Sequence, residues 1–173
     1  MANSTRPGWL RWLRHRWLDS GDVRRMLPDA ALARVEDLVK ASEQRHSGQI
    51  CVCVEASLPL SYLWQGLCAR QRALTLFGKL RIWDTEANNG VLIYLQLADR
   101  AVEIVADRGL NHRVSAAQWQ AVIARLAEPL RADRFEAGLT EAVEAVSQLL
   151  SEHFPLTTGQ SNPNELPDAV QRL

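Results

Sequence analysis

No stretch of about 20 apolar residues occurs in this sequence, so no segment is long and apolar enough to cross a bilayer as a helix. The N-terminus also lacks the uninterrupted apolar core of a signal peptide. Neither a GxGxxG, a Walker loop, an HExxH nor a GxSxG is present, which argues against an enzyme built on a stock cofactor or a stock hydrolase framework. Cysteine is scarce: Cys51 and Cys53 fall two apart on an expected strand, side by side on one face, and Cys68 stands alone. That spacing suits neither a disulfide nor a CxxC metal or redox site, so buried reduced thiols in a reducing, cytoplasmic compartment are expected. Net charge is zero, and with it goes the broad basic surface that a nucleic-acid-binding domain needs.

What charge there is lies unevenly. The first 27 residues carry six arginines against Asp19 and Asp22, a net of +4, which leaves −4 for the remainder. Within residues 8–18, GWLRWLRHRWL, stand three of the six tryptophans. Trp9, Leu10, Trp12, Leu13 and Trp17 share one broad helical face, with Arg11, Arg14 and His15 largely off it, the composition of a helix lying in a membrane interface. Docking of this arm on the protein's own body or on a partner would read the same way. The arm, residues 1–27, therefore points to an anionic lipid surface or a membrane-associated protein as partner.

The body, residues 28–154, alternates helix and strand signals. Asp29 can cap a helix whose apolar positions Leu32, Val35, Leu38 and Val39 keep a 3.6-residue period. Residues 49–56 read as a strand with Ile50, Val52 and Val54 on one face and the two cysteines on the other. Ser61 opens a helix expected over 62–80, with Leu63, Leu67, Leu74 and Phe77 as its stripe and Arg70 in the middle of that stripe. Such an arginine is expected to be buried and paired with Glu55, Glu103 or Asp99. Residues 91–97 and 101–106 form a hairpin, and the right-handed crossover rule makes the first of these strands parallel to the strand at 49–56. Ser115 with Gln118, and Asp133 with Glu136, each make a capping-box pattern before an amphipathic run. The expected fold is a three-layer α/β/α sandwich around a small mixed sheet, and the Pro-rich segment 155–173 is expected to be a disordered tail.

Those strand directions bring the start of the first two strands beside the end of the third. Glu43, His46, Asp84, Asn89, Asp107 and Arg108 are thereby gathered toward one sheet edge. Carboxylate and amide oxygens from Glu43, Asp84, Asn89 and Asp107 suit Ca2+ or Mg2+, and one histidine is too few for a typical zinc site. For a phosphatase, His46 can serve as acid or base and Arg108 can hold phosphate, with Asp84 and Asp107 as the carboxylates. Capping and chain-turning roles for the same residues stay open beside these.

Asn89-Gly90-Val91-Leu92-Ile93-Tyr94, then Asp99-Arg100, Val102-Glu103-Ile104, Gly109-Leu110, a helix opening near Ser115, and Phe135 to Leu150 with Gly138-Leu139 resemble the TPM domain in order and spacing, from about Asp29 to Phe154. The resemblance implies an α/β/α sandwich and links the chain to acid phosphatase activity, calcium binding and work beside membrane proteins. Many members place a glutamate after the Gly-Leu pair and an aspartate at the opening of the next helix, where Asn111 and Ala116 stand here. With two acidic groups missing and the tryptophan arm prominent, the expected function is an accessory or binding module at the cytoplasmic face of a membrane. A divalent-metal-assisted acid phosphatase is the alternative.

Overall fold

The computed structural model describes residues 8–18, 20–156, 164–167 and 169–173. Three helices come first, α1 (Gly8–Trp17), α2 (Ser20–Met26) and α3 (Asp29–Ser42), and lead into strand β1 (Gln49–Glu55). Two more, α4 (Leu60–Trp64) and α5 (Ala69–Lys79), precede the hairpin β2 (Gly90–Gln96) and β3 (Ala101–Ala106). The chain continues through α6 (Arg108–Asn111), α7 (Ala116–Arg131) and α8 (Phe135–His153) and ends in β4 (Gln171–Arg172).

The sheet order is β3-β2-β1-β4. β1 and β2 run parallel, with Gln49 opposite Gly90 and Glu55 opposite Gln96, and β3 runs back along β2. Side-chain alternation then divides the core in two. Ile50, Val52, Val54, Val91, Ile93 and Leu95 pack under α2, α3, α7 and α8, while Cys51, Cys53, Leu92, Tyr94 and Val105 pack under α5. Both faces of β1 and β2 are covered, which is why these strands read as unbroken apolar runs rather than alternating ones. The result is the expected α/β/α sandwich with a mixed sheet.

Four expectations fail in detail. The helix expected over 62–80 is two helices, broken where Gly66 takes a φ of +66°. Stripes drawn through the break lose their meaning: α5 buries Ala69, Ala73 and Leu76, and Leu74 is exposed. Asp133 caps nothing, because it adopts a φ of +56° and its carboxylate pairs with Arg100, leaving Arg134 before α8 without a side-chain cap. Asp29 lies inside the first turn of α3, and Pro28 takes the position before it. Lastly, the tail returns to the body: Leu166 and Val170 are buried, Gln171 and Arg172 pair with Cys53 and Val54, and Arg172 meets Asp29 at 2.6 Å. Residues 157–163 lie outside the described residues.

Candidate functional site

The edge where β1 and β2 begin and β3 ends is polar and closed. Glu43 Oε1 accepts the amide hydrogen of Ile50 at 3.1 Å, so its carboxylate holds the entry of β1. His46 is fully buried, its Nδ1 lies 3.0 Å from the Gly48 carbonyl, and burial pushes its pKa down to about 4, which keeps the ring neutral with Nδ1–H donating. Asn89 Nδ2 donates to Ser47 Oγ at 3.3 Å, and its backbone amide donates to Thr85 Oγ1 at 3.1 Å. Asp107 caps α6 by accepting from Arg108 N at 2.7 Å, and its own amide donates to the Gly90 carbonyl at 2.9 Å.

Backbone approach explains the glycines of this edge. A Cβ on Gly90 would stand 2.0 Å from the Ile82 carbonyl oxygen, and one on Gly109 would stand 2.5 Å from that of Asn88. The loop before β2 therefore lies directly against both glycines, and Gly109 N donates to Asn88 O at 2.9 Å to fasten it.

Of the six residues expected here, Glu43, His46, Asn89 and Asp107 are buried at this edge, whereas Asp84 and Arg108 are on the surface. Asp84 turns outward to Arg81 at 2.5 Å, because Arg81 takes a positive φ and reverses the chain there. Arg108 Nε donates to Asn88 Oδ1 at 2.9 Å. Among the described residues no three His, Cys, Asp or Glu side chains stand together as an ion's ligands. Asn89 Oδ1 and Asp107 Oδ2 are buried acceptors that no donor among the described residues reaches. Each retains the capacity to accept a hydrogen bond from a donor group. The side chain of Asn111 lies outside the described residues.

At the opposite end of the sheet, α1 sits over the exit of β1 and the β2–β3 turn. His15 is fully buried: Nδ1 accepts from Leu58 N at 3.0 Å and Nε2 stands 3.2 Å from Asp99 Oδ1. Arg11 joins the same carboxylate at 3.2 Å and donates to the Leu67 carbonyl at 2.8 Å. Burial works against the Asp99 charge, but His15 and Arg11 outweigh it and hold this carboxyl below the usual range. Arg14 is half-buried, and the helix turns Trp12, Leu13 and Trp17 outward, Trp17 being 80% exposed. The side chain of Trp9 lies outside the described residues.

Arg70 is not the buried arginine. Its side chain is 47% exposed, donating to the Ile104 carbonyl at 2.6 Å with Glu103 3.8 Å away. The arginine that pairs inward is the half-buried Arg72, which grips the buried Glu55 through two contacts of 2.6 and 3.0 Å while Tyr94 OH donates to Glu55 at 2.6 Å. The signal available in the sequence was Glu55 itself, a carboxylate closing an otherwise apolar strand. Cys51 and Cys53 are buried and free, with burial raising their thiols to about 11 and about 12, and Cys68 is exposed.

Residues 21–149 match the family model of the TPM domain. The fold is similar to the NMR structure of the BA42 protein from the psychrophilic bacterium Bizionia argentinensis, with a TM-score of 0.74 and 25% identity over 84% of this chain and 94% of that one. It is also similar to the solution NMR structure of the N-terminal domain of a protein from P. gingivalis, with a TM-score of 0.61 and 21% identity over 87% of this chain and 94% of that one. No curated protein matches the sequence.

Proposed function

The chain belongs to the TPM domain family, and on that premise we propose that it is an accessory binding module, held at the cytoplasmic face of a membrane and acting on a protein partner. The observation that carries this reading is the setting of α1. Arg11 and His15 clamp the helix to the body through Asp99, so its outward tryptophans are a fixed part of the molecular surface rather than a loose arm. No helix among the described residues is long and apolar enough to cross a membrane.

Phosphatase chemistry has less to work with. His46 is buried and neutral, Glu43 is engaged with β1, and Asp84 is paired outside the edge, so acid, base and phosphate-holding groups do not converge. The test is hydrolysis of a generic phosphate ester by the full chain, with and without Ca2+ or Mg2+. No turnover above buffer is expected. Turnover that disappears on substituting Asp107 would overturn the reading in favour of a metal-assisted phosphatase.

A further inference from the structure

A surface helix ordinarily buries its apolar stripe and shows water its charges. Among its described side chains, α1 does the reverse. Arg11, His15 and Leu18, at helical spacing, turn toward the body, and Trp12, Leu13 and Trp17 occupy the outer arc with Arg16. The exposed apolar surface does not stop at α1. On α4, Leu60 is 60% and Trp64 79% exposed, and the Trp64 and Trp12 rings meet with their centroids 6.4 Å apart. Two separate elements thus supply one apolar face, and contiguous patches of this kind mark contact sites.

The chemistry around the patch selects the occupant. Tryptophan combines a large apolar body with one N–H, the pairing that suits the boundary between headgroups and acyl chains. Arg16, Arg24 and Arg25 are exposed on α1 and α2, and the described acid of those helices, Asp22, is already paired with Arg25 at 3.0 Å. Arg16 stands on the tryptophan arc itself and Arg24 and Arg25 add positive charge on the next helix, a pairing that complements an anionic surface.

We propose that the α1–α4 face, built from Trp12, Leu13, Trp17, Leu60 and Trp64, seats the protein on an anionic lipid surface with α1 still docked on the domain. This rests on the reading of the chain as a membrane-face module and names what holds it there. The clamp of Arg11 and His15 on Asp99 fixes the Trp12 and Trp64 rings side by side, so both enter the interface together and at shallow depth.

Co-sedimentation of the full chain with phosphatidylcholine vesicles and with phosphatidylcholine–phosphatidylglycerol vesicles tests it. Pelleting is expected with the anionic vesicles alone and should fall as salt rises. Trp12→Ala/Trp64→Ala should weaken it about tenfold or more, and Trp17→Ala alone should also weaken it. Trp83→Ala, which removes a ring stacked near Arg81, should leave it unchanged. The substituted rings are exposed, so thermal unfolding of each variant should match the parent. The proposal is overturned by undiminished pelleting of the double variant, by no pelleting with either vesicle, or by this face forming a dimer in place of lipid contact. None of these results touches phosphate-ester turnover, so the binding-module reading stands or falls on its own assay.

Discussion

Removing the Arg72 guanidinium would leave the Glu55 carboxylate at the buried end of β1 with Tyr94 OH as its remaining side-chain donor. Stranding one half of such a pair costs about 3 to 5 kcal/mol, so Arg72→Ala should lower the denaturant midpoint sharply. Arg70→Ala, which loses a half-exposed contact, should cost less than about 1 kcal/mol. The same titration run against pH reads His46. Its pKa is about 4 in the folded chain against 6.5 for the free side chain, so below pH 6.5 the unfolded chain takes up the proton first. Stability from this residue is complete above pH 6.5 and drains away as pH falls through 4, by about 3 kcal/mol in all. His46→Asn should flatten the pH dependence across that window, and an unchanged slope would show that the ring is not held neutral.

The elements whose signals are local matched their sequence closely. β1, β2 and β3 lie where apolar β-rich runs put them, and Ser115 caps α7 with Gln118 as its spacing indicates. Misreadings came where a turn or a tertiary contact overrides the apolar period. Nothing in the period of Leu63, Leu67 and Leu74 announces that the chain breaks at Gly66, and once it does, Arg72 rather than Arg70 faces β1. The direction of α1 was left open by its composition, because a stripe that meets lipid and one that docks inward read alike, and here a buried histidine takes the inner side. The glycines of the Asn-Gly and Gly-Leu pairs stood out in the sequence, but their reason is the neighbouring backbone. Gly90→Ala forces a Cβ against the Ile82 carbonyl and should destabilise by about 2 to 3 kcal/mol in thermal or denaturant unfolding. Gly78→Ala, with open space on α5, should be neutral or stabilising by up to about 1 kcal/mol.

Across the whole molecule, the sheet separates two polar ends with different work. At one, Glu43, His46, Asn89 and Asp107 tie β1, β2 and α6 together, and the candidate edge was readable because parallel and antiparallel pairing place it there. Its closure was not readable, since that depends on how far the loop before β2 folds over Gly90 and Gly109. At the other end, Asp99 gathers Arg11 and His15, and α1 and α4 turn their tryptophans outward. The tail adds to the same body, with Leu166 and Val170 spaced like nothing periodic in the sequence yet both buried beside β1. The most direct measurement is a map of backbone amide NMR shifts of the full chain as anionic bicelles are added. The account predicts movement and broadening confined to α1, α4 and the residues beside them, with residues 84–90 and 107–109 unmoved. Shifts centred on residues 84–90 and 107–109, with α1 and α4 silent, would contradict it.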